Sequence, residues 1–169
     1  YLMLVIIPLA VATVFYSTDV IHLIYGHKYD AASSVLSILI WTVCLLFISG
    51  ATNTLLNASH KESTVTKIYA IAAIFNVVLN LILIPYLSYN GAAITTVLSD
   101  ILIVIIQSYV IYKIGHRPNK KLYYDIGRII IGSAVLGIAL YFLNLNMWIA
   151  IPVGIIIYLA VMYLIRFFD

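Results

Sequence analysis

Asp100 lies about nine residues into an otherwise apolar stretch that starts at Ala92. A helix rises about 1.5 Å per residue, so this carboxylate would sit ~14 Å inside any membrane the stretch crosses. An unpaired carboxylate at that depth is costly and marks a functional position by default. Two readings stand: Asp100 binds a coupling cation or proton, or it faces an aqueous cavity or a donor on a neighbouring helix and has no such role. Asn76 and Asn80, like Asn53 and Asn57, are spaced four apart, which places each pair on one helix face. Carboxamides so placed in apolar helices hydrogen-bond from helix to helix. Arg128 and Lys67 stand near the ends of apolar stretches. A guanidinium matches phosphate oxygens with its planar fork; either side chain can instead extend to lipid headgroups.

Covalent chemistry has no such foothold. The sequence contains no nucleophile with a base partner, no glycine loop of the kind that cradles phosphate and no paired acids. His22, His27, His60 and His116 fall in loops or interfacial turns without the linear spacing of a metal site. Cys44, the single cysteine, lies within an apolar run and completes neither a disulfide nor a ligand set. The expected work is conformational: no enzymatic activity, no cofactor and no metal.

The elements that position these residues are read from hydropathy. Of the 169 residues 64% are hydrophobic and only 9% charged, against roughly 25% charged in a soluble domain. There is too little charge to cover a water-facing surface, so lipid is the main solvent. Crossing a ~30 Å hydrocarbon core takes ~20 apolar residues as helix, and that unit recurs about six times, at roughly 1–16, 34–56, 66–85, 92–112, 124–143 and 147–166. The fold expected is an all-α polytopic membrane bundle. The first stretch is short for a span and the chain opens with Tyr1, so it reads as truncated at its start. Pro8 is expected to kink rather than break the first helix, because neighbouring helices can satisfy the freed carbonyl. Ser17, Thr18 and Asp19 are N-cap candidates, and Gly26 a C-cap candidate, for a short interfacial helix.

Orientation follows from the nine Lys and Arg. Alternating loops put Lys61, Lys67, Lys113, Arg117, Lys120, Lys121, Arg128 and Arg166 on one side and Lys28 alone on the other. By the positive-inside rule the first side, with loops 57–67 and 113–128, is cytoplasmic. The basic residues form no dense patch interleaved with surface aromatics, which argues against a nucleic-acid partner.

Three stretches carry a resemblance beyond hydropathy: IHLIYGHKYDAA at Ile21 to Ala32, LLNASHKE at Leu55 to Glu62, and NVVLNLILIPYLSYNGAAITTVLSD at Asn76 to Asp100. Together they resemble the C-terminal half of the polysaccharide flippases, within the multidrug/oligosaccharidyl-lipid/polysaccharide exporter superfamily. The most specific element is Ile84-Pro85, a short turn, then Gly91, Ala92 and Ala93; Pro85 is expected to stop or kink the third helix and Gly91 to relax the turn. The turn at Asn57 to Lys61 departs from the glycine-containing form of the family.

The resemblance implies a six-helix C-terminal lobe, truncated at both ends, facing a missing N-terminal lobe across a central cavity in the cytoplasmic membrane. It also implies movement of lipid-linked oligosaccharide or polysaccharide precursors by alternating access. On it, Arg128 and Lys67 would meet the diphosphate of the lipid-linked sugar, Asn76 and Asn80 would contact sugar, and Asp100 would be the coupling-ion candidate. Alternatives are a multidrug or cation antiporter of the same superfamily and a membrane assembly partner without transport activity.

Overall fold

Hydrocarbon offers the backbone no water, so a chain this apolar must satisfy its N–H and C=O groups internally, and an α-helix does so within one segment. The computed structural model describes residues 2–116, 119–143 and 145–165. It is all-helical, with no strand among the described residues. The start of the first expected span at Tyr1, the loop residues Arg117, Pro118 and Asn144, and the cation Arg166 lie outside the described residues. In order come α1 (Leu2–Phe15), α2 (Ser17–Tyr25), a 3-10 turn (His27–Tyr29), α3 (Ala32–Ala58), α4 (Glu62–Lys113), α5 (Lys120–Leu143) and α6 (Met147–Leu164). From α3 onward the helices are long and apolar enough to cross a membrane, and α1 with α2, bent by 78°, makes a further candidate span. The chain is a multi-pass membrane protein, and exposed side chains such as Leu46, Ile74, Leu81, Phe142 and Ile156 suit lipid contact.

Straight, the 52 residues of α4 would run ~78 Å, more than twice the hydrocarbon thickness. The helix reverses instead. Ser88 has φ 52 and ψ −132, and Asn76 Nδ2 donates to Ser99 Oγ at 3.0 Å, although 23 residues of straight helix would separate them by ~34 Å. Residues 62–87 and 89–113 are therefore two antiparallel arms, each long enough for a crossing. Pro85, expected to end the third span, stays within the helix, and the reversal falls three residues later at Ser88. Gly91, expected to relax the turn, is helical and buried; a β-carbon there would stand 2.6 Å from the Leu83 carbonyl oxygen. Its missing side chain permits close approach of the arms.

The chain divides into two compact units, residues 1–37 with 118–169, and residues 38–117. In the first, α5 packs on α1 and α6 around Ile129, Leu136, Leu140, Ala150, Tyr158 and Met162. Small residues set the approach: a β-carbon on Gly132 would meet Met162 Sδ at 3.0 Å, and one on Gly154 would meet Leu136 at 3.2 Å. α1 continues through Pro8, and the sharp bend comes after it, at Tyr16. α2 starts at Ser17 without a side-chain cap, so the expected capping residues lie inside the helix. Ser17 Oγ instead accepts from Ser37 Oγ at 2.9 Å.

In the second unit Leu56, Ile68, Ala72 and Ile103 form the core. α3 ends in a left-handed cap: Lys61 N–H donates to the Leu56 carbonyl, His60 N–H to the Asn57 carbonyl, and His60 takes φ 55. The second arm of α4 ends the same way, with His116 N–H on Ile111, Gly115 N–H on Tyr112 and Gly115 at φ 97. These are Schellman motifs, whose left-handed position glycine fills most easily. His60 holds that position in the turn where the sequence departs from the glycine-containing pattern.

Candidate functional site

Carboxamides and hydroxyls inside lipid-facing helices must find partners, because an unsatisfied polar group there costs several kcal/mol. The second unit collects them in two clusters. In one, the fully buried Gln107 of the second α4 arm accepts from Thr52 Oγ1 through its Oε1. Its Nε2 donates to Asn53 Oδ1 at 2.7 Å, and Asn53 Nδ2 donates to Tyr69 Oη at 2.7 Å. This relay ties α3 to both arms of α4.

The other cluster lies on the two arms nearer Ser88. Asn76 donates to Ser99, and its Oδ1 accepts from Asn80 Nδ2 at 2.9 Å. Ser99 Oγ donates in turn to the Thr95 carbonyl at 2.8 Å, and Thr95 Oγ1 to the Gly91 carbonyl at 2.9 Å. Asn76 thus uses its carboxamide within the bundle at both ends. Asn80 does not: its Oδ1 is shut off from solvent and has no hydrogen-bond partner. That oxygen is an open acceptor within a polar seam.

Of the residues singled out in the sequence, Asn76 and Asn80 are brought together with each other and with Ser99. Asp100, next in the chain to Ser99, is half-buried, with no hydrogen bond or ion pair among the described residues. Lys67 is exposed on the first arm, about two and a half turns before Asn76. Arg128 is half-buried on α5 and belongs to the first unit. Asn53 reaches Gln107 and Tyr69, while Asn57, its partner in spacing, is exposed. Gln107, fully buried at the centre of the relay, was not among those singled out, although a carboxamide deep in an apolar stretch marks such a position.

The first unit offers a different surface, an apolar cavity of about 400 Å³ between α1, α5 and α6, lined among others by Leu4, Pro8, Leu136, Gly154 and Tyr158. Hydroxyls are sparse in its surroundings, and those of Tyr158 and Ser133 are buried beside one another. What the two units can do chemically is solvate a polar group by hydrogen bonding and an apolar one by contact.

Antiparallel apolar helices with buried polar seams define an α-helical, multi-pass membrane bundle. No protein-family model matches the chain. It is 31% identical over 123 residues to the uncharacterized membrane protein MJ1068 of Methanocaldococcus jannaschii, a match covering 72% of this chain and 24% of that protein. Among solved structures, the lipid II flippase MurJ in an inward closed conformation superposes with a TM-score of 0.83 at 21% identity. That match covers 97% of this chain and 37% of MurJ. The chain therefore shares the helical fold of part of MurJ and spans about a quarter of the length of the archaeal protein.

Proposed function

We propose that this chain is the C-terminal six-helix lobe of a polysaccharide-type flippase in the cytoplasmic membrane, moving a lipid-linked saccharide between leaflets by alternating access against an N-terminal lobe. A sugar headgroup cannot cross hydrocarbon unaided, since each unsatisfied polar group costs several kcal/mol there. A hydrogen-bonding seam held among apolar helices lowers that barrier. The observation carrying the proposal is the seam of Asn76, Asn80 and Ser99 in arms that otherwise present large apolar side chains, where the buried Asn80 carbonyl oxygen still lacks a hydrogen-bond partner. The MurJ-like fold supports it, since that protein is named as a flippase of lipid II.

On this proposal loops 57–67 and 113–128 are cytoplasmic, and Lys67 and Arg128 are each a candidate to meet the diphosphate as the substrate enters. The test is flipping of a fluorescent lipid-linked oligosaccharide by the whole protein in proteoliposomes, together with restored glycan display in flippase-deficient cells. Flipping should fall at least tenfold in the Arg128→Ala, Lys67→Ala double variant. Absence of flipping and of complementation by the folded wild-type protein would overturn the proposal and favour an assembly partner.

The unpartnered Asp100 favours a second reading, a cation-coupled drug antiporter of the same superfamily. A substrate profile of cationic drugs in place of saccharide, with coupling abolished by Asp100→Asn, would establish it. Unchanged coupling in that variant would remove Asp100 from either mechanism.

A further inference from the structure

The polar elbow between α2 and α3 has no part in the seam described above. Its residues are His22 in the last turn of α2, Gly26, the 3-10 turn His27–Tyr29, and Asp30. In a continuous helix residues 22, 27 and 30 would not converge, since ligand pairs on one face are spaced by three or four. Gly26 changes this. Its φ of 74 and ψ of 177 lie in a region open chiefly to glycine, and they end α2 and return the chain across its last turn. The His27 ring comes against the His22 ring, tilted 59° to it with centroids 4.1 Å apart, and Asp30 Oδ1 pairs with His22 Nε2 at 2.5 Å. Asp30 is steadied from the other side, where Ser33 N–H and Ser33 Oγ both donate to its carbonyl. Two imidazole nitrogens and a carboxylate oxygen then stand within 4.8 Å of one another.

The geometry points to a surface site for a first-row divalent transition metal, with Zn²⁺ the natural occupant, held by His22, His27 and Asp30. Zinc binds imidazole nitrogen at about 2.0–2.1 Å and carboxylate oxygen at about 2.0–2.2 Å, and tetrahedral ligand atoms are then roughly 3.3–3.5 Å apart. The His22–Asp30 separation lies below that value and all three ligand atoms stand within 4.8 Å of one another. Binding requires Asp30 to draw back from His22 by about 1 Å, from the present 2.5 Å, and the exposed side chains to adjust about their torsions. Asp30 supplies the negative charge that offsets part of the ion's, in the presence of Asp19 one turn earlier on α2 and Lys28 within the turn. All three ligands have solvent access, so water fills the remaining coordination position. A mainly imidazole set selects zinc, nickel or copper over calcium and magnesium, which take oxygen ligands. The linear spacing conceals the site, because the convergence is created by the backbone at Gly26.

The test uses the whole protein, purified in detergent with no histidine tag, and titrated calorimetrically with Zn²⁺ and spectroscopically with Co²⁺. One ion per chain is expected, with cobalt bands that zinc removes and millimolar Ca²⁺ does not. Asp30→Asn and His27→Ala should each weaken Zn²⁺ binding at least about tenfold, given that even outer partners of metal ligands are worth 10–100-fold. His116→Ala, in a different loop, should leave it unchanged. The substituted side chains are exposed, and an unaltered helical circular dichroism spectrum in each variant excludes misfolding as the cause. No saturable binding by the folded wild-type protein at 100-micromolar zinc, or binding that Asp30→Asn and His27→Ala leave intact, would overturn the assignment.

Discussion

A β-carbon on Gly91 would stand 2.6 Å from the carbonyl oxygen of Leu83, closer than such atoms approach. The two residues lie on opposite sides of the reversal at Ser88, so this one absent methyl group fixes how near the arms of α4 come. Helix association in lipid depends on packing and hydrogen bonding rather than on water exclusion. Proximity here also sets the distance over which Asn76 reaches Ser99.

Gly91→Ala should therefore destabilise the protein by about 1–3 kcal/mol, the usual cost of overpacking. The obstacle is backbone, which cannot swing away as a side chain would. Thermal unfolding in detergent, followed by tryptophan fluorescence, measures it. An unchanged midpoint would show that the arms are not in close contact.

Ser88 holds a positive φ of 52 with ψ −132, a conformation natural to glycine. Releasing such strain is worth about 1–3 kcal/mol, against about 0.4–1 kcal/mol lost because glycine loosens the unfolded chain. Ser88→Gly should raise stability by about 1 kcal/mol. A lower unfolding midpoint in the same assay would contradict a strained reversal at this residue.

Gln107 and Asn53 should be energetically coupled. Interhelical hydrogen bonds in membrane bundles average about 0.6 kcal/mol and reach about 1.7, and the full burial of Gln107 favours the upper end. A double-mutant cycle of Gln107→Leu and Asn53→Leu, read by unfolding from mixed micelles, gives the coupling directly. Additive effects would mean that the relay contributes nothing.

Asn76 and Asn80 should separate by phenotype although they are equally polar and one turn apart. Asn76 is occupied at both ends of its carboxamide, so Asn76→Leu should lower stability, leaving Ser99 and Asn80 each short of a partner. Asn80→Leu removes an unpaired buried acceptor together with one hydrogen bond, that from Asn80 Nδ2 to Asn76 Oδ1. It should destabilise the protein less than Asn76→Leu does, since the lost bond and the removed unpaired acceptor act in opposite directions, and lower saccharide flipping severalfold. Equal transport by Asn80→Leu and wild type would exclude Asn80 from substrate contact.

The stretches around Ile74, Ile105 and Ile155 are helical because oil leaves the backbone no other way to satisfy itself, and that was legible residue by residue. The reversal was legible only as a neighbourhood. Pro85 and Gly91 marked it correctly, yet proline remains in the helix because its geometry suits a helical φ, and the chain turns at Ser88. Among the polar residues, the spacing of Asn76 and Asn80 announced a shared face and bonding across helices, which Asn76 makes to Ser99; the bond between the two carboxamides themselves was not announced. Nothing in the order of residues indicated that Gln107 would meet Asn53, since 54 positions separate them and only the arrangement of α3 beside the hairpin closes the gap. The convergence of His22, His27 and Asp30 was illegible for a related reason, because a glycine conformation rather than a helical period brings them together.

Sequence alone determined the solvent of this protein and its class of structure. Transfer free energies add along the chain, so long uncharged runs dictate apolar helices whatever their neighbours. Tertiary structure alone decided which polar side chains are satisfied and which are left open. A hydrogen bond acts over about 3 Å between groups that may be remote in the chain, so the open carbonyl of Asn80 is a property of packed helices and of no segment by itself.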